Sequence, residues 1–398
     1  MYDFDSVIDR RNTGSEKYHA MKDDFPAFGM ADMDFRVAPA VTKALEARLA
    51  HGIYGYTAAG DSYFEAVHDW FKNHFGWETK KEWLVMTPGV VPAINTAIRA
   101  LTKPDDAVLI QPPVYHPFAD AILNNGRRLI PCPLTRRRSQ YVMNDFDDIE
   151  RLLSEKNVKL AILCSPHNPV GRVWSREELT EFSRVCRFHG VRVIVDEIHC
   201  DFTYPGFTHT TFGTLGEEAE NNAVICTAPS KTFNIAGLQV SNIWIPNPEI
   251  REAFLREWNS LGVNEPNVMG LIAAEAAYRE GEEWLAECKT YIKGNLDFVR
   301  SFLKARIPRM KLVEPEGTYL VWLDCRGYSL PNEELTRVVE EEAGLTVDMG
   351  HCFGAEGNGF IRFNIACPRA SLEKGLQRLA DAFVKVEAEL QAKRARRL

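Results

Sequence analysis

KLAILCSPHNPVGRVWSREELTEFSRVCRFHGVRVIVD, residues 159–196, decides the fold. KLAILC (159–164) and VRVIV (191–195) are apolar runs of strand length. Between them, Ser175 and Glu178 stand at the spacing of a capping box, in which each side chain satisfies a backbone N–H of the first helical turn. Leu179, Phe182, Val185 and Cys186 then fall on one helical face, and Gly190 supplies the stop. Two wholly apolar strands joined by an amphipathic helix make a parallel βαβ unit whose sheet is covered on both faces.

The same texture extends in both directions. WLVMT (83–87), AVLIQ (107–111), RRLIPC (127–132), AVICT (223–227) and VSNIWI (240–245) bring the strands to seven. The fold class is therefore α/β, with a large domain over residues 46–285 built on a mostly parallel seven-stranded sheet flanked by helices. At 398 residues the chain exceeds the roughly 250–300 at which a single core stops growing. A smaller α+β domain is expected from residues 1–45 and 286–398. There KLVEPEG, TYLVWLDC, LTVDMG and GFIRFNIA read as strands around one helix, NEELTRVVEEEAG. Leu372, Leu376, Leu379, Phe383, Val386 and Leu390 step by four and three along a closing helix from about Ser371. The first 45 or so residues lack a strong period and are expected to lie across both domains.

Composition narrows the function. Lys and Arg number 47 against 55 Asp and Glu, a balance of 47 − 55 = −8, which gives no reason to expect nucleic acid or an anionic membrane as general partner. With 26% charged residues, 26 Gly and 21 Pro, disorder and a collagen-like repeat are excluded. The nine cysteines are odd in number and no two stand in a Cys-x-x-Cys spacing, a pattern of reduced, mostly buried thiols. MYDFDSVIDRR carries acids where a signal peptide needs basic residues, and no apolar run approaches the ~18 residues of a membrane span. A cytoplasmic protein is expected. The basic tail AKRARRL reads as a solvated terminus.

In an open parallel sheet, ligands sit at the carboxyl ends of the strands, so the informative residues follow each apolar run. After WLVMT, the free N–H groups of Gly89, Val90 and Val91 offer a seat for an anion, although a plain helix start reads equally well from this segment alone. After KLAILC, Asn168 is either a turn residue or an amide presented to a ligand. After VRVIV comes Asp196, an acid that is costly at the end of an apolar strand unless a cation pairs with it. His199, Cys200 and Asp201 follow, but no second cluster at metal spacing accompanies them, and no metal is expected. After AVICT, Lys231 follows Ser230; a lone lysine is ordinarily a solvated surface charge. Four strand ends thus offer an anion cup, an amide, a carboxylate and an amine. A phosphate, a ring oxygen, a ring nitrogen and an aldehyde carbon would answer them in turn, which is the inventory of pyridoxal 5′-phosphate (PLP).

On these residues the chain resembles the fold-type-I PLP enzymes, which include the class I and II aminotransferases, and within them the MalY/PatB type of bacterial cystathionine β-lyase. The resemblance runs nearly end to end through ADMDF (31–35), HGIYGYT (51–57), PGVV (88–91), QPPVYHPF (111–118), PHNPVGR (166–172), DEIHCD (196–201), APSKTFNIAGLQ (228–239) and GFIRFN (359–364). It implies that Lys231 holds the cofactor as a Schiff base and acts as the catalytic base. Asp196 would keep the ring nitrogen protonated, Asn168 would bond the ring oxygen, Tyr115 would stack on the ring, and His199 would lie beside it. The Gly89 and Val90 N–H groups with Ser230 would bind the phosphate. Tyr56 would reach that phosphate from a second subunit, making the active unit a homodimer with shared sites. Arg362 would fork onto the substrate carboxylate, with Ala31 in the substrate wall.

Two positions depart from aspartate-type aminotransferases, which carry Arg where this chain has Gln239 and Tyr where it has His199. Both departures are expected in the lyase branch. Gly29 stands where that branch usually carries an aromatic. The implied activity is α,β-elimination from L-cystathionine or a related amino-acid thioether, giving a thiol, pyruvate and ammonia. The alternatives are an aminotransferase, disfavoured by Gln239 and His199, and a PLP-binding scaffold or regulator, disfavoured by the intact Lys231, Asp196 and Arg362.

Overall fold

The structure is a computed structural model that describes residues 2–19, 26–137, 140–263 and 265–395. Each of the seven apolar runs becomes a strand of one sheet: β1 (Leu84–Thr87), β2 (Ala107–Ile110), β3 (Arg128–Pro131), β4 (Val158–Cys164), β5 (Arg192–Asp196), β6 (Ala223–Thr227) and β7 (Ser241–Trp244). Their spatial order is β1-β7-β6-β5-β4-β2-β3. The run from β3 to β6 is parallel throughout, while β7 is antiparallel to both of its neighbours. Between β6 and β7 the chain makes only a short helix, Pro229–Thr232, and a 3-10 turn, so it returns antiparallel instead of crossing over.

Alternate residues of each strand feed opposite cores, as the two-residue period of a strand requires. Ile162, Ile194, Val224 and Ile243 pack beneath the helices Val90–Leu101 and Pro248–Ser260. Leu163, Val193, Val195 and Ile225 pack on the other face with Leu179, Phe182, Val185 and Cys186 of the helix Arg176–Phe188. That helix begins with the Ser175/Glu178 capping box, and Gly190 turns the chain at φ 67° just beyond its end.

The smaller sheet is antiparallel, in the order β8-β9-β11-β10, with β8 (Lys311–Val313), β9 (Leu320–Asp324), β10 (Asp348–Met349) and β11 (Phe360–Asn364). The helix expected between its strands runs from Asn332 to Arg337 and continues as a π turn to Glu342. A helix absent from the sequence reading, Glu282–Arg306, crosses the 285/286 junction and buries Leu285, Cys288, Ile292, Leu296, Val299 and Leu303. The closing helix, Arg369–Ala395, fully buries Leu372, Leu376, Leu379 and Phe383. Residues 396–398 of the basic tail lie outside the described residues.

The N-terminal segment ties the two sheets together at one place. Phe28 stacks on Phe363 of β11 at 4.2 Å, and Asn364 Nδ2 donates to the Met30 and Asp32 carbonyls. From the other side, Asn234, just past β6, accepts from Met33 N–H and donates to the Met33 and Phe35 carbonyls. ADMDF is thereby held over the carboxyl ends of the large sheet. Eight of the nine cysteines are buried, Cys352 is exposed, and none is disulfide-bonded. Among the described residues no helix is long and apolar enough to cross a membrane.

Candidate active site

A cavity of about 210 Å³ opens at the carboxyl ends of β4, β5 and β6. It is lined by ten residues singled out from the sequence: Ala31, Gly89, Val90, Val91, Tyr115, Asn168, Asp196, His199, Ser230 and Lys231. Gly89 and Lys231, 231 − 89 = 142 positions apart, meet because parallel strands bring their last residues to one edge, and the tethered N-terminal segment adds Ala31.

Lys231 Nζ donates to the Ala31 carbonyl at 2.6 Å. Burial, aided by the nearby Arg362 guanidinium, lowers the amine to about 8, against the pull of the Asp32 and Asp196 carboxylates. Asp196 ends β5 with its carboxylate buried; Oδ1 accepts from the Ile198 N–H at 3.1 Å. Burial raises its carboxyl to about 7, because no ion pair among the described residues compensates the charge. His199 is lowered to about 3 by burial, by Lys231 and by Arg362, so its ring is neutral, and its Nδ1 has no partner. Tyr115 lies half-buried against the cavity, its phenol raised by burial and by the Asp196 carboxylate.

Arg362 lies in the middle of β11 and is 3% exposed. Its Nη1 donates to Asn168 Oδ1 at 3.0 Å and its Nη2 to the Gly29 carbonyl at 3.0 Å. Nη2 also pairs with the Asp348 carboxylate, while Nε is buried without a partner. Asp348 stands directly opposite Arg362 in the β10–β11 ladder. Gly29 makes this pair possible: a Cβ there would lie 2.9 Å from Asp348 Oδ1. The missing side chain before ADMDF is thus replaced by an acid from another strand.

At the opposite end, Gly89 precedes the helix Val90–Leu101 with extended backbone and no side-chain cap. The first N–H groups of that helix are left for a ligand, and the helix dipole favours an anion. Ser230 and Ser241 line the same end; Ser241 Oγ is buried with no partner. An uncompensated carboxylate, an uncapped helix start and orphaned polar atoms on Ser241, His199 and Arg362 fit a ligand bearing phosphate, a protonated ring nitrogen and, beyond it, a substrate carboxylate.

Tyr56 is not in this cavity. It is 96% exposed and lines a separate groove with Tyr54, Thr57, Pro88 and Gln239. Pro88 borders both spaces. Sequence reading missed Ser241, Cys164 and Ile198 in the lining, and Asp348 behind Arg362. Cys164 closes a strand and so falls under the strand-end rule; Ser241 opens one, and reaches the same edge only because its strand runs antiparallel to its neighbours.

Residues 27–379 match the family described as aminotransferase class I and II. Cystathionine beta-lyase PatB of Bacillus subtilis is 41% identical over 386 residues, covering 96% of this chain and 99% of PatB. Cystalysin from Treponema denticola, solved with a pyridoxal 5′-phosphate cofactor, superposes with a TM-score of 0.94 at 36% identity, over 97% of this chain and 100% of its own. The PLP-bound C–S lyase from Staphylococcus hominis gives 0.89 at 34% identity, over 96% and 99%.

Proposed function

Since the chain belongs to the class I and II aminotransferase family, we propose that it is a PLP-dependent carbon–sulfur β-lyase acting on L-cystathionine or a related cysteine S-conjugate. The observation that carries the reading is the convergence of Lys231, Asp196, Asn168 and an open helix start on one cavity, with Arg362 bonded to its wall. The likeness to PatB selects elimination over amino transfer.

When bound, PLP supplies an electron sink for the pair released at the substrate Cα. The protein does the rest. Lys231 would anchor the cofactor, and its amine, once free, would take the Cα proton; burial lowers that amine to about 8, so it can serve as a base near neutral pH. Asp196, buried at its strand end with its carboxyl raised to about 7, would ionise against the ring N–H⁺ and hold that proton in place. Arg362 fixes the substrate carboxylate so that the Cα–H bond faces the base. The Gly89–Val90 helix start, Ser230 and Ser241 would hold the phosphate, Tyr115 would cover the ring face, and neutral His199 would flank it without adding charge. After the Cα proton is lost, thiolate would leave from Cβ and take a proton back from the Lys231 ammonium, and water would complete the reaction to pyruvate and ammonia.

The same reading makes the working unit a homodimer. Leu49, Ile53, Tyr54 and Tyr56 are all exposed, Tyr54 and Tyr56 line the groove that shares Pro88 with the cavity, and Tyr56 would act in the partner's site. It also divides the chain into a large unit, 46–285, and a small one, 1–45 with 286–398, and locates it in the cytoplasm, where eight buried thiols stay reduced. Borohydride reduction of the purified protein followed by peptide mapping tests the site: the cofactor is expected on the Lys231 peptide, and attachment to another lysine overturns the assignment.

A further inference from the structure

We infer that Asp348 is a stand-in for the substrate carboxylate: it neutralises Arg362 before substrate binds and gives up the guanidinium when an amino-acid carboxylate arrives. The inference rests on the reading that Arg362 receives that carboxylate.

Arg362 is 3% exposed, and a buried guanidinium without a counter-charge is strongly destabilising. Its other acceptors, Asn168 Oδ1 and the Gly29 carbonyl, are neutral; Asp348 is the one carboxylate that pairs with it among the described residues. The pairing is built into the sheet, since Asp348 and Arg362 are register partners in adjacent antiparallel strands. The two ends of the pair differ in freedom. Arg362 is buried in the centre of its strand, whereas the Asp348 side chain is 34% exposed at the start of a two-residue strand and already borders solvent. Gly29 leaves the space in which the Asp348 carboxylate sits, because a Cβ at that position would meet Oδ1 at 2.9 Å.

Two carboxylates on one guanidinium repel each other, so a substrate carboxylate must displace Asp348 or share the fork with it at a loss. Asp348 therefore acts as an internal competitor. It is a positioning residue that sets affinity for the carboxylate end of the substrate, and it takes no part in breaking the Cβ–S bond.

The test is calorimetric titration of the PLP-loaded enzyme with 3-(methylthio)propionate, a thioether carboxylate without an amine, and with its neutral amide. Asp348→Asn is expected to bind the carboxylate about three- to tenfold more tightly, with the amide unmoved. Gly29→Ala, which pushes Asp348 aside without removing its charge, is expected to move in the same direction. With cystathionine, the gain is expected in KM and not in kcat. Unchanged or weaker carboxylate binding by Asp348→Asn, with binding lost in Arg362→Ala, overturns the stand-in role alone. Undiminished binding by Arg362→Ala overturns the assignment of Arg362 itself.

Discussion

Arg362 Nη1 donates to Asn168 Oδ1 over 3.0 Å, linking the middle of β11 in the small sheet to the turn beyond β4 in the large one. The bond also settles which way the Asn168 amide faces. Its oxygen is occupied, so Nδ2 is the atom left to donate to a ring oxygen of the cofactor. One side chain thereby couples the group proposed to hold the substrate carboxylate to the group proposed to hold the ring.

Asn168→Ala breaks both contacts at once. A hydrogen bond to a charged group contributes about 1.5–3 kcal/mol, so KM for cystathionine is expected to rise about tenfold or more. The absorption band of the bound cofactor should shift in the same variant. A change in KM with an unmoved band would leave the amide serving Arg362 alone.

Asp196 makes stability and function oppose each other. An unfolded Asp titrates near 3.9, whereas burial raises the folded carboxyl to about 7. Between those values the folded state holds a proton that the unfolded state has lost, so the stability of the cofactor-free protein falls as pH rises through that window. Asp196→Asn has no charge to bury. Stripped of cofactor, it is expected to be more stable than the parent by up to about 4 kcal/mol at pH 8, with the gap narrowing toward pH 5. The loaded variant should lose PLP and turnover. Denaturant titration at both pH values checks this, and a pH-independent gap would assign the difference to packing.

Tyr56 is exposed in the isolated chain, and the account requires it to work across a dimer interface. Lys231→Ala and Tyr56→Ala chains are each expected to be nearly inactive. Refolded together at random, half of the dimers carry one intact site, so about a quarter of the parental activity should return. Mixed dimers without recovery, or a fully active monomer, would remove the shared site.

Much of this site was legible because parallel strands announce themselves as apolar runs and chemistry-bearing residues follow directly. Asn168, Asp196 and Lys231 all lie within four residues of a strand end in KLAILC, VRVIV and AVICT. Asp348 was not legible. Its strand has two residues, and its value depends on a register with Arg362 that no local pattern specifies. Gly29 was noticed as a missing aromatic, but what fills its space comes from 319 residues away (348 − 29 = 319). The Glu282–Arg306 helix carries a readable stripe from Leu285 to Leu303, but it straddles the expected 285/286 boundary and belongs to neither pattern on its two sides.

The most direct test of the central claim is to give the purified, PLP-loaded protein L-cystathionine with no keto acid present. Elimination supported by Lys231 is expected to release pyruvate, ammonia and homocysteine in equal amounts over many turnovers, and Lys231→Ala is expected to release none. Turnover that starts only when a keto acid is added, or that stops after one equivalent per site, would contradict the account and make the protein an aminotransferase.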